Sequence, residues 1–342
     1  MTQALSLANI LRKNGHKIGS VIVGSSERRS IPAFFTEKIG APVVSLPSPN
    51  FVTDKDHKKV KPLRTVIYSL LKAPVYRKSI QKIDEIVKEE KPDVIINFYD
   101  FLGGLYYFSK RPKAKLICIG HQYLLGHPDF HFPKGKTLDR LSMLMGNKVT
   151  SLGASKLLAL SFYPEESKKK KLLVVPPLLR DLVKNTVSSK AEHYLVYMVN
   201  PGYADEVNQF HHAQPSQPIH AFWDKKDAET LWKIDETLTY HQLNDELFIQ
   251  YMSSAKGYVT TAGFESVCEA MYLGKPVMMV PVGGHFEQAC NALDAEKAGA
   301  GIASKTFDIG KLYDYIPHHK DVQDSFKGWA DQAEDIFIKH LT

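Results

Sequence analysis

The stretch from Thr260 to Pro281 contains the residues whose types and spacing most clearly predict a chemical site. A strand of buried character leads into the small residues Ala262 and Gly263, and a helix begins at Phe264. Backbone N–H groups at the start of a helix bind anions such as a diphosphate, and small turn residues let the anion approach. The pattern therefore predicts a phosphate site between a strand and a helix.

An acidic residue in the same helix extends this prediction to a nucleotide. Glu269 lies one to two turns into the helix, and a carboxylate there can accept hydrogen bonds from both hydroxyls of a ribose. The following strand leads into a loop that brings His285 and Gln288 beside a helix containing Asn291. A plain strand-turn-helix-strand unit with an incidental glutamate is the alternative.

The span from Phe248 to Gly301 resembles the donor-binding half of GT-B glycosyltransferases, and among them the family-28, MurG-like group. Such families bind the donor ribose through the glutamate, the diphosphate through the glycine turn and the helix start, and the donor sugar through the glutamine. The resemblance implies these roles for Glu269, Gly263 and Gln288. It is carried by Phe248, Met252, Ala255, Ala262-Gly263, Glu269, Gly274-Lys275-Pro276, Gln288, Asn291-Ala292 and Gly299-Ala300-Gly301.

Two further positions agree with the resemblance. Pro176 to Arg180 resembles an interdomain segment that ends in an arginine near the donor phosphates, a task that suits a guanidinium group. Gly202 lies where the family has a glycine-rich phosphate loop, although the loop here holds a single glycine. A solvated interdomain arginine is the alternative for Arg180. The donor-binding residues that we predict are Arg180, Gly202, Phe248, Ala262, Gly263, Phe264, Glu269, His285 and Gln288.

The first domain differs from the family at its start. There, a strand and a glycine-rich loop ending in Gly-His precede a helix that resembles residues 2–13 of this chain. Met1 stands where the residue after that histidine would be, so we expect the first strand and its loop to be missing. That histidine is the favoured general base of the family, since imidazole titrates near neutral pH. A late start, another base, or a loss of catalysis are the alternatives.

Other candidates for the base follow predicted strands, because open parallel sheets bind ligands at the carboxyl ends of their strands. Asp100 follows one such strand and His121 follows the next. A helix cap or a loop residue is the alternative for each. Residues 54–56 (DKD) resemble a metal-binding DxD motif, but they lie in a lysine-rich loop with no strand before it. We therefore predict no metal and no cofactor.

Helical and strand-like patterns alternate along the chain, which predicts β-α-β units and parallel sheets. The predicted strands are Ile18–Val23, Val94–Phe98, Leu116–Ile119, Leu157–Phe162, Tyr194–Val199, Ile219–Phe222, Gly257–Thr260 and Pro276–Val280. The predicted helices are 2–13, Pro74–Glu90, Phe101–Ser109, 140–151, Phe248–Ala255, Phe264–Leu273 and Asp321–Leu341. Residues 45–62 have no apolar periodicity and are predicted to form a loop.

These patterns and the resemblance predict an α/β protein of the GT-B class, with two Rossmann-like domains and a cleft between them. Residues 1–170 form the acceptor-side domain, which lacks its first strand. Residues 171–320 form the donor-binding domain, after a composition change at Lys168–Lys171. Residues 321–342 form a C-terminal helix that crosses the domain junction.

Composition excludes several classes of protein. The chain has 342 residues, of which 44% are hydrophobic and 24% charged, as in ordinary globular proteins and unlike disordered or fibrous chains. Cys118, Cys268 and Cys290 have no metal-ligand spacing, which argues against a disulfide framework and structural zinc. No apolar run reaches the roughly 18 residues of a membrane span, and the N-terminus does not resemble a signal peptide. We expect a cytoplasmic protein.

The net charge of +7 is unevenly distributed. Residues 1–171 contain 30 Lys and Arg against 14 Asp and Glu, whereas the remainder contains 14 against 23. A basic half can bind an anionic membrane surface or an acidic acceptor. We find no nucleic-acid-binding motif. A lipid-linked acceptor and a peripheral position on the inner face of the membrane are therefore candidates.

We expect an inverting, metal-independent transfer of a sugar from a nucleotide diphosphate donor, most simply a UDP-sugar, to an acceptor hydroxyl held by the first domain. A catalytically impaired nucleotide-sugar binding protein is one alternative. An enzyme resembling UDP-N-acetylglucosamine 2-epimerase is another, although it needs carboxylates in the first domain that we cannot place.

Overall fold

In the computed structural model, the chain is described over residues 1–25, 31–49, 71–198, 201–225 and 229–342. It divides into two compact units. The first unit comprises Met1–Leu178 and Asp331–Thr342, and the second comprises Leu179–Ala330. The DxD-like motif at residues 54–56 lies outside the described residues. No helix in the described part of the chain combines the length and the apolar composition needed to span a bilayer.

Helices and strands alternate through the first unit. Its strands are β1 (Val21–Ser25), β2 (Val43–Pro47), β3 (Val94–Asn97), β4 (Lys115–Ile119), β5 (Lys156–Leu160) and β6 (Leu172–Val175). Its helices before the second unit are α1 (Thr2–Lys13), α2 (Ala33–Lys38), α3 (Ala73–Glu90), α4 (Phe101–Lys110) and α5 (Thr137–Thr150), with a 3₁₀ helix at His121–Gly126.

The described strands of the first unit lie in two separate parallel sheets. β1 pairs with β2, and the other sheet has the order β3-β4-β5-β6. Within the described residues, β1 and β3 therefore each pair along one edge and leave the other edge open. Side chains link the two sheets, since Ser20 N–H donates to Glu90 and Ser48 Oγ donates to Asp100, each at 2.9 Å.

Apolar helix faces cover both sheets of the first unit. Tyr76 and Ile83 of α3 pack with Leu102 and Tyr106 of α4, and residues of β1, β2 and β3 lie against this cluster. A second cluster joins α1 and α2 to β1 and β2, with Phe35 buried at its centre. Burial of these side chains fixes which face each helix presents to the sheets.

The second unit has the same alternation. Its strands are β7 (Tyr194–Met198), β8 (Ile219–Trp223), β9 (Leu231–Lys233), β10 (Leu238–Gln242), β11 (Gly257–Thr260), β12 (Val277–Met279) and β13 (Gly301–Ala303). Its helices are α6 (Asp181–Lys184), α7 (Ala204–Ala213), α8 (Asp245–Ser254), α9 (Phe264–Tyr272), α10 (Phe286–Lys297), α11 (Ile309–Tyr315) and α12 (Gln323–Ala330), with 3₁₀ turns at Pro201–Tyr203 and Ile316–His318.

The described strands of the second unit form one sheet in the order β13-β12-β11-β7-β8-β10-β9. All of its pairs are parallel except β9 with β10. The chain runs from β7 to β8 and β10 on one side, then returns to β11 on the other side of β7. The order therefore reverses between β7 and β11, and open α/β sheets bind ligands at the carboxyl ends of strands beside such a reversal.

Both units are of the predicted α/β class, but the boundary between them differs from the predicted domain boundary. The first unit continues to Leu178, because residues 172–175 form β6 and pair in parallel with β5. The sequence pattern treated this segment as the start of the second domain, since the lysine run before it resembled a linker.

Two predicted elements are wrong in part. The single C-terminal helix is two helices, α12 and α13 (Ala333–Leu341), which belong to different units. Apolar spacing continues across the turn at Asp331-Gln332, so periodicity did not reveal the break. Ser45 to Pro47 belongs to β2 rather than to the predicted loop. The prediction failed because only Leu46 of these residues is buried, so the segment resembled a polar loop.

Three histidines surround Tyr251 of α8 in the second unit. His220 Nδ1 lies 3.0 Å from His241 Nε2, and the ring centroids of His193 and His220 lie 5.2 Å apart. Desolvation lowers the pKa of all three, and that of His220 falls to about 4. These imidazoles are therefore neutral in the folded protein near neutral pH.

Acid should destabilise the second unit through this cluster. The unfolded chain protonates its histidines near pH 6.5 and the folded one at lower pH, so this stabilisation is complete above about pH 6.5 and is lost as the pH falls towards about 4. We expect His220→Asn to reduce the slope of melting temperature against pH in this window. Thermal melts at stepped pH check this, with His212→Asn at an exposed position as the control. An unchanged slope in His220→Asn would contradict the assignment.

An added strand should stabilise the first unit. A short valine- and isoleucine-rich segment joined to Met1 by a loop ending in Gly-His can pair with the edges of β1 and β3 that have no partner strand within the described residues, and can bury apolar surface. We expect the melting temperature to rise by several degrees, at about 2–4 °C for each kcal/mol gained. Thermal melts check this against an extension of the same length made of glycine and serine. Equal melting temperatures for the two extensions would contradict the prediction.

Candidate functional site

The turn between β11 and α9 lies at the reversal point of the second sheet. Ala262 is fully buried with φ at 38°, a left-handed value that a residue with a side chain adopts only at a cost. Asn291 of α10 holds this conformation, because its Nδ2 donates to the carbonyl oxygen of Ala262 at 3.1 Å. Strain that neighbouring bonds maintain is typical of functional turns.

Space is open beside the next residue, Gly263. A Cβ built on Gly263 would have Ser266 Oγ as its nearest neighbour, 3.7 Å away. Gly263 is the N-cap of α9 and has no side chain to cap the helix. Backbone N–H groups at the first turn of a helix attract anions, so the geometry suits a phosphate group.

Glu269 and Arg180 form a buried ion pair. Arg180 Nε donates to Glu269 Oε1 at 2.6 Å, and Arg180 Nη2 donates to Glu269 Oε2 at 2.9 Å. Arg180 Nη1 lies 3.4 Å from Asp245 Oδ2. Burial raises the pKa of Glu269, and Arg180 opposes that shift. Glu269, the residue predicted to bind the ribose, and Arg180, the residue predicted to bind the phosphates, are thus in direct contact. Their distant positions in the sequence did not indicate this contact.

The loop after β12 brings His285 and Gln288 to the same edge of the sheet, because β12 is parallel to β11. His285 Nδ1 accepts from Gln288 N at 3.4 Å and caps α10. Gln288 Oε1 accepts from Val282 N at 2.8 Å, so the glutamine side chain holds the loop. The amide nitrogen of Gln288 is chemically able to donate to a hydroxyl group.

Three other predicted donor residues have different surroundings. Gly202 lies in the 3₁₀ turn between β7 and α7, and residues 199–200 before it lie outside the described part of the chain. Phe264 is buried in the first turn of α9. Phe248 packs edge-to-face on Phe222 and Tyr258, with ring centroids 5.3 and 6.0 Å away. Phe248 therefore contributes to the core beside the site.

Sequence reasoning assigned no role to Asn291 or Asp245. Asn291 was recognised only as part of the motif after Gln288, because its bond to the strained turn joins residues that are 29 positions apart in the chain. Asp245 begins α8 after the cap formed by Asn244 Oδ1, which accepts from Leu247 N at 2.9 Å. An acidic residue in the first turn of a helix is common, so its sequence context gave no signal of a site.

Asp100 in the first unit caps α4. Asp100 Oδ1 accepts from Leu102 N at 2.7 Å and from Ser48 Oγ at 2.9 Å. Desolvation raises the pKa of Asp100, and the bonds from Leu102 and Ser48 oppose the shift. The preceding residue, Tyr99, has φ at 56°, so the carboxylate lies on a strained turn. The capping role matches the alternative considered for Asp100, and its role as a base stays a prediction.

His121 begins the 3₁₀ helix after β4 and is buried. Its Nδ1 lies 2.8 Å from the carbonyl oxygen of Leu160. A neutral imidazole that donates its Nδ1 proton to this carbonyl carries its lone pair on Nε2, the protonation state that a general base requires. The role of His121 as a base also stays a prediction.

In the described residues, one group of potential metal ligands comes together, at His127, Asp129 and Glu165, with ligand atoms within 4.8 Å of one another. The backbone N–H of Asp129 donates to His127 Nδ1 at 3.3 Å, and Lys168 forms an ion pair with the Asp129 carboxylate. Because a proton donor and an ammonium group already face these atoms, we assign no metal to this group.

Comparison with known proteins identifies the family. A profile described as glycosyl transferase family 1 matches residues 49–318. Mogroside IIIx synthase from Siraitia grosvenorii is 41% identical over 59 residues, which are 17% of this chain and 13% of that protein. The chain thus spans only a small part of the length of this curated relative.

Solved structures share the fold. The glycosyltransferase of kitacinnamycin has a TM-score of 0.64 at 15% identity, with 99% of this chain and 95% of that chain covered. The calicheamicin glycosyltransferase CalG4 has a TM-score of 0.61 at 15% identity, with 99% and 94% covered. Phytolacca americana UGT2, complexed with UDP-2-fluoroglucose and pterostilbene, has a TM-score of 0.64 at 11% identity, with 96% and 90% covered.

The predicted GT-B class is therefore confirmed, and the narrower family-28 grouping stays a prediction. The profile covers most of the chain, including the turn at Ala262-Gly263 and Glu269. The chain belongs to the glycosyl transferase family 1 and has the GT-B fold.

Proposed function

We propose that this glycosyltransferase binds a UDP-sugar at the turn between β11 and α9 and transfers the sugar, with inversion, to an acceptor hydroxyl held by the first unit. The observation that carries the proposal is the strained turn at Ala262, followed by an uncrowded helix start at Gly263 and a buried carboxylate at Glu269. The complex of the Phytolacca americana enzyme with a UDP-sugar analogue supports the choice of uracil as the nucleobase of the donor.

Each part of the donor has a matching group. The diphosphate faces the N-terminus of α9, where the helix dipole and backbone N–H groups stabilise the negative charge that develops on the leaving group. A ribose hydroxyl donates to Glu269, and the amide nitrogen of Gln288 donates to the sugar. Fixed N–H dipoles supply the leaving-group stabilisation, so the proposed mechanism uses no metal ion.

Transfer also needs a base for the acceptor hydroxyl, and we propose His121 or Asp100. General-base catalysis contributes roughly 10²–10⁴-fold to such a reaction. Loss of turnover in His121→Gln or Asp100→Asn, with UDP affinity retained, would assign the base. A protein that binds UDP-sugars but transfers no sugar to any acceptor would instead favour the alternative of a nucleotide-sugar binding protein.

An exposed apolar helix face supports a membrane-bound acceptor. Leu138, Leu141 and Met145 of α5 are 82%, 56% and 60% exposed and lie on one face of the helix. Arg140 and Lys148 add positive charge to the same helix. Apolar residues flanked by basic ones are typical of helices that lie in the interface of an anionic membrane. We therefore propose a peripheral position on the cytoplasmic face of a membrane and a lipid-linked acceptor.

Glu269→Gln should weaken UDP binding by roughly 1–3 kcal/mol, because a charge-assisted hydrogen bond to the ribose becomes a neutral one. Glutamine is preferred to alanine because it keeps an acceptor opposite the buried cation of Arg180. Calorimetry with UDP checks the prediction, with Glu246→Gln at an exposed position of the same unit as the control. Unchanged affinity in a folded Glu269→Gln protein would remove Glu269 from the donor site.

Vesicle binding tests the apolar face of α5. The protein should co-sediment with vesicles that contain phosphatidylglycerol at low salt and dissociate as salt shortens the screening distance to about 8 Å. Replacement of Leu138, Leu141 and Met145 by serine should abolish sedimentation, whereas Val187→Ser at another exposed site should not. Absence of binding by the unmodified protein at low salt would contradict the membrane proposal.

A further inference from the structure

The surroundings of Arg180 differ from those of a phosphate ligand. Its side chain is 16% exposed, and that of Glu269 is 7% exposed. Nε and Nη2 bind the two oxygens of Glu269, and Nη1 faces Asp245. Every nitrogen of the guanidinium group therefore has a carboxylate neighbour, and the partners lie on α8 and α9 rather than in the turn at Gly263.

The geometry of this pair leaves a defined part of Glu269 available. A carboxylate has about four lone-pair positions, two on each oxygen. Arg180 occupies one on each oxygen through a planar fork, which fixes the orientation of the carboxylate plane. The remaining position on each oxygen then points in a fixed direction. These two remaining positions diverge, so each is suited to accept from a single hydroxyl group, such as one hydroxyl of a ribose.

The charges around Glu269 make Arg180 necessary for this arrangement. Desolvation raises the pKa of Glu269, the negative charges of Glu265 and Asp245 add to that shift, and Arg180 is the group that lowers it. Cys268 and Tyr258 lie close by and stay neutral, because burial raises the pKa of each. Without Arg180, Glu269 would face two carboxylates from a buried position and would take up a proton at higher pH.

We propose that Arg180 is a positioning residue for the donor ribose, acting through Glu269, and that it is not a phosphate ligand. Arg180 holds both oxygens of Glu269 in place and keeps their charge, so that Glu269 accepts from the 2′-hydroxyl. The inference rests on the proposed donor site. It changes the role that the family resemblance implied for Arg180.

Comparison of UDP with 2′-deoxy-UDP separates the two roles. A phosphate ligand contributes equally to both nucleotides, whereas a residue that orients Glu269 contributes to the preference for the 2′-hydroxyl. One charge-assisted hydrogen bond corresponds to about 10-fold or more in affinity. We expect the unmodified protein to prefer UDP by about 10-fold and Arg180→Gln to prefer it less than about threefold.

The pH profile gives a second readout that a purely structural role would not change. UDP affinity should fall on acidification, and in Arg180→Gln this loss should begin at a higher pH than in the unmodified protein, because Glu269 without Arg180 protonates more readily. Arg180→Lys keeps the charge without the fork, so it should restore the pH profile while the preference for UDP stays reduced. Glu246→Gln, at an exposed position of the same helix as Asp245, serves as the matched control and should leave both the pH profile and the preference for UDP unchanged.

The outcomes are distinguishable. If both nucleotides lose affinity equally in Arg180→Gln while the preference for UDP persists, Arg180 is a phosphate ligand and the inference is overturned. If Arg180→Gln does not fold, as judged by its thermal melt, Arg180→Lys decides the question by the same ratio. If the unmodified protein binds the two nucleotides equally and Glu269→Gln binds UDP normally, the proposed donor site itself is wrong.

Discussion

The pairing of β7 with β11 is the constraint on which the candidate site depends. The two strands are parallel, with Gly257 opposite Tyr194 and Thr260 opposite Tyr197. All four residues of β11 are buried, as are most residues of β7. A shift of one residue would turn buried side chains to the wrong face, so the register is strongly specified. Because the strands end together, the turn at Ala262 lies at the same edge of the sheet as the end of β7.

The interactions at this edge depend on one another. Ala262 keeps its left-handed backbone because Asn291 binds its carbonyl oxygen, and that backbone directs the start of α9. The position of α9 in turn sets the depth of Glu269, whose charge is compatible with burial because Arg180 lies beside it. Removal of one partner from such a buried pair is costly, whereas the intact pair orients its members. The site is therefore organised by polar contacts within a tightly packed unit.

Short-range patterns predicted the local structure around the candidate site better than they predicted its contacts. The turn, the start of α9 and Glu269 are all encoded within a few residues, so their local structure could be inferred. The ion pair joins Arg180 to a residue 89 positions away, and no local pattern encodes such a distance. The hairpin of β9 and β10 was missed because its first strand is short and exposed. β6 was missed because the lysine run before it resembled a linker, and its pairing with β5 became visible only in the fold.

The pairing of β1 and β3 along one side each, within the described residues, has a consequence for local stability. β4 and β5 have a paired strand on each side, and their amide groups are protected by hydrogen bonds and burial. β1 and β3 pair on one side only within the described residues, and their residues are mostly half-buried. Regions with fewer buried contacts open at a lower free energy than the core around them. The β1–β2 layer should therefore exchange its amide protons through local opening, while β4 and β5 exchange only when the whole unit unfolds.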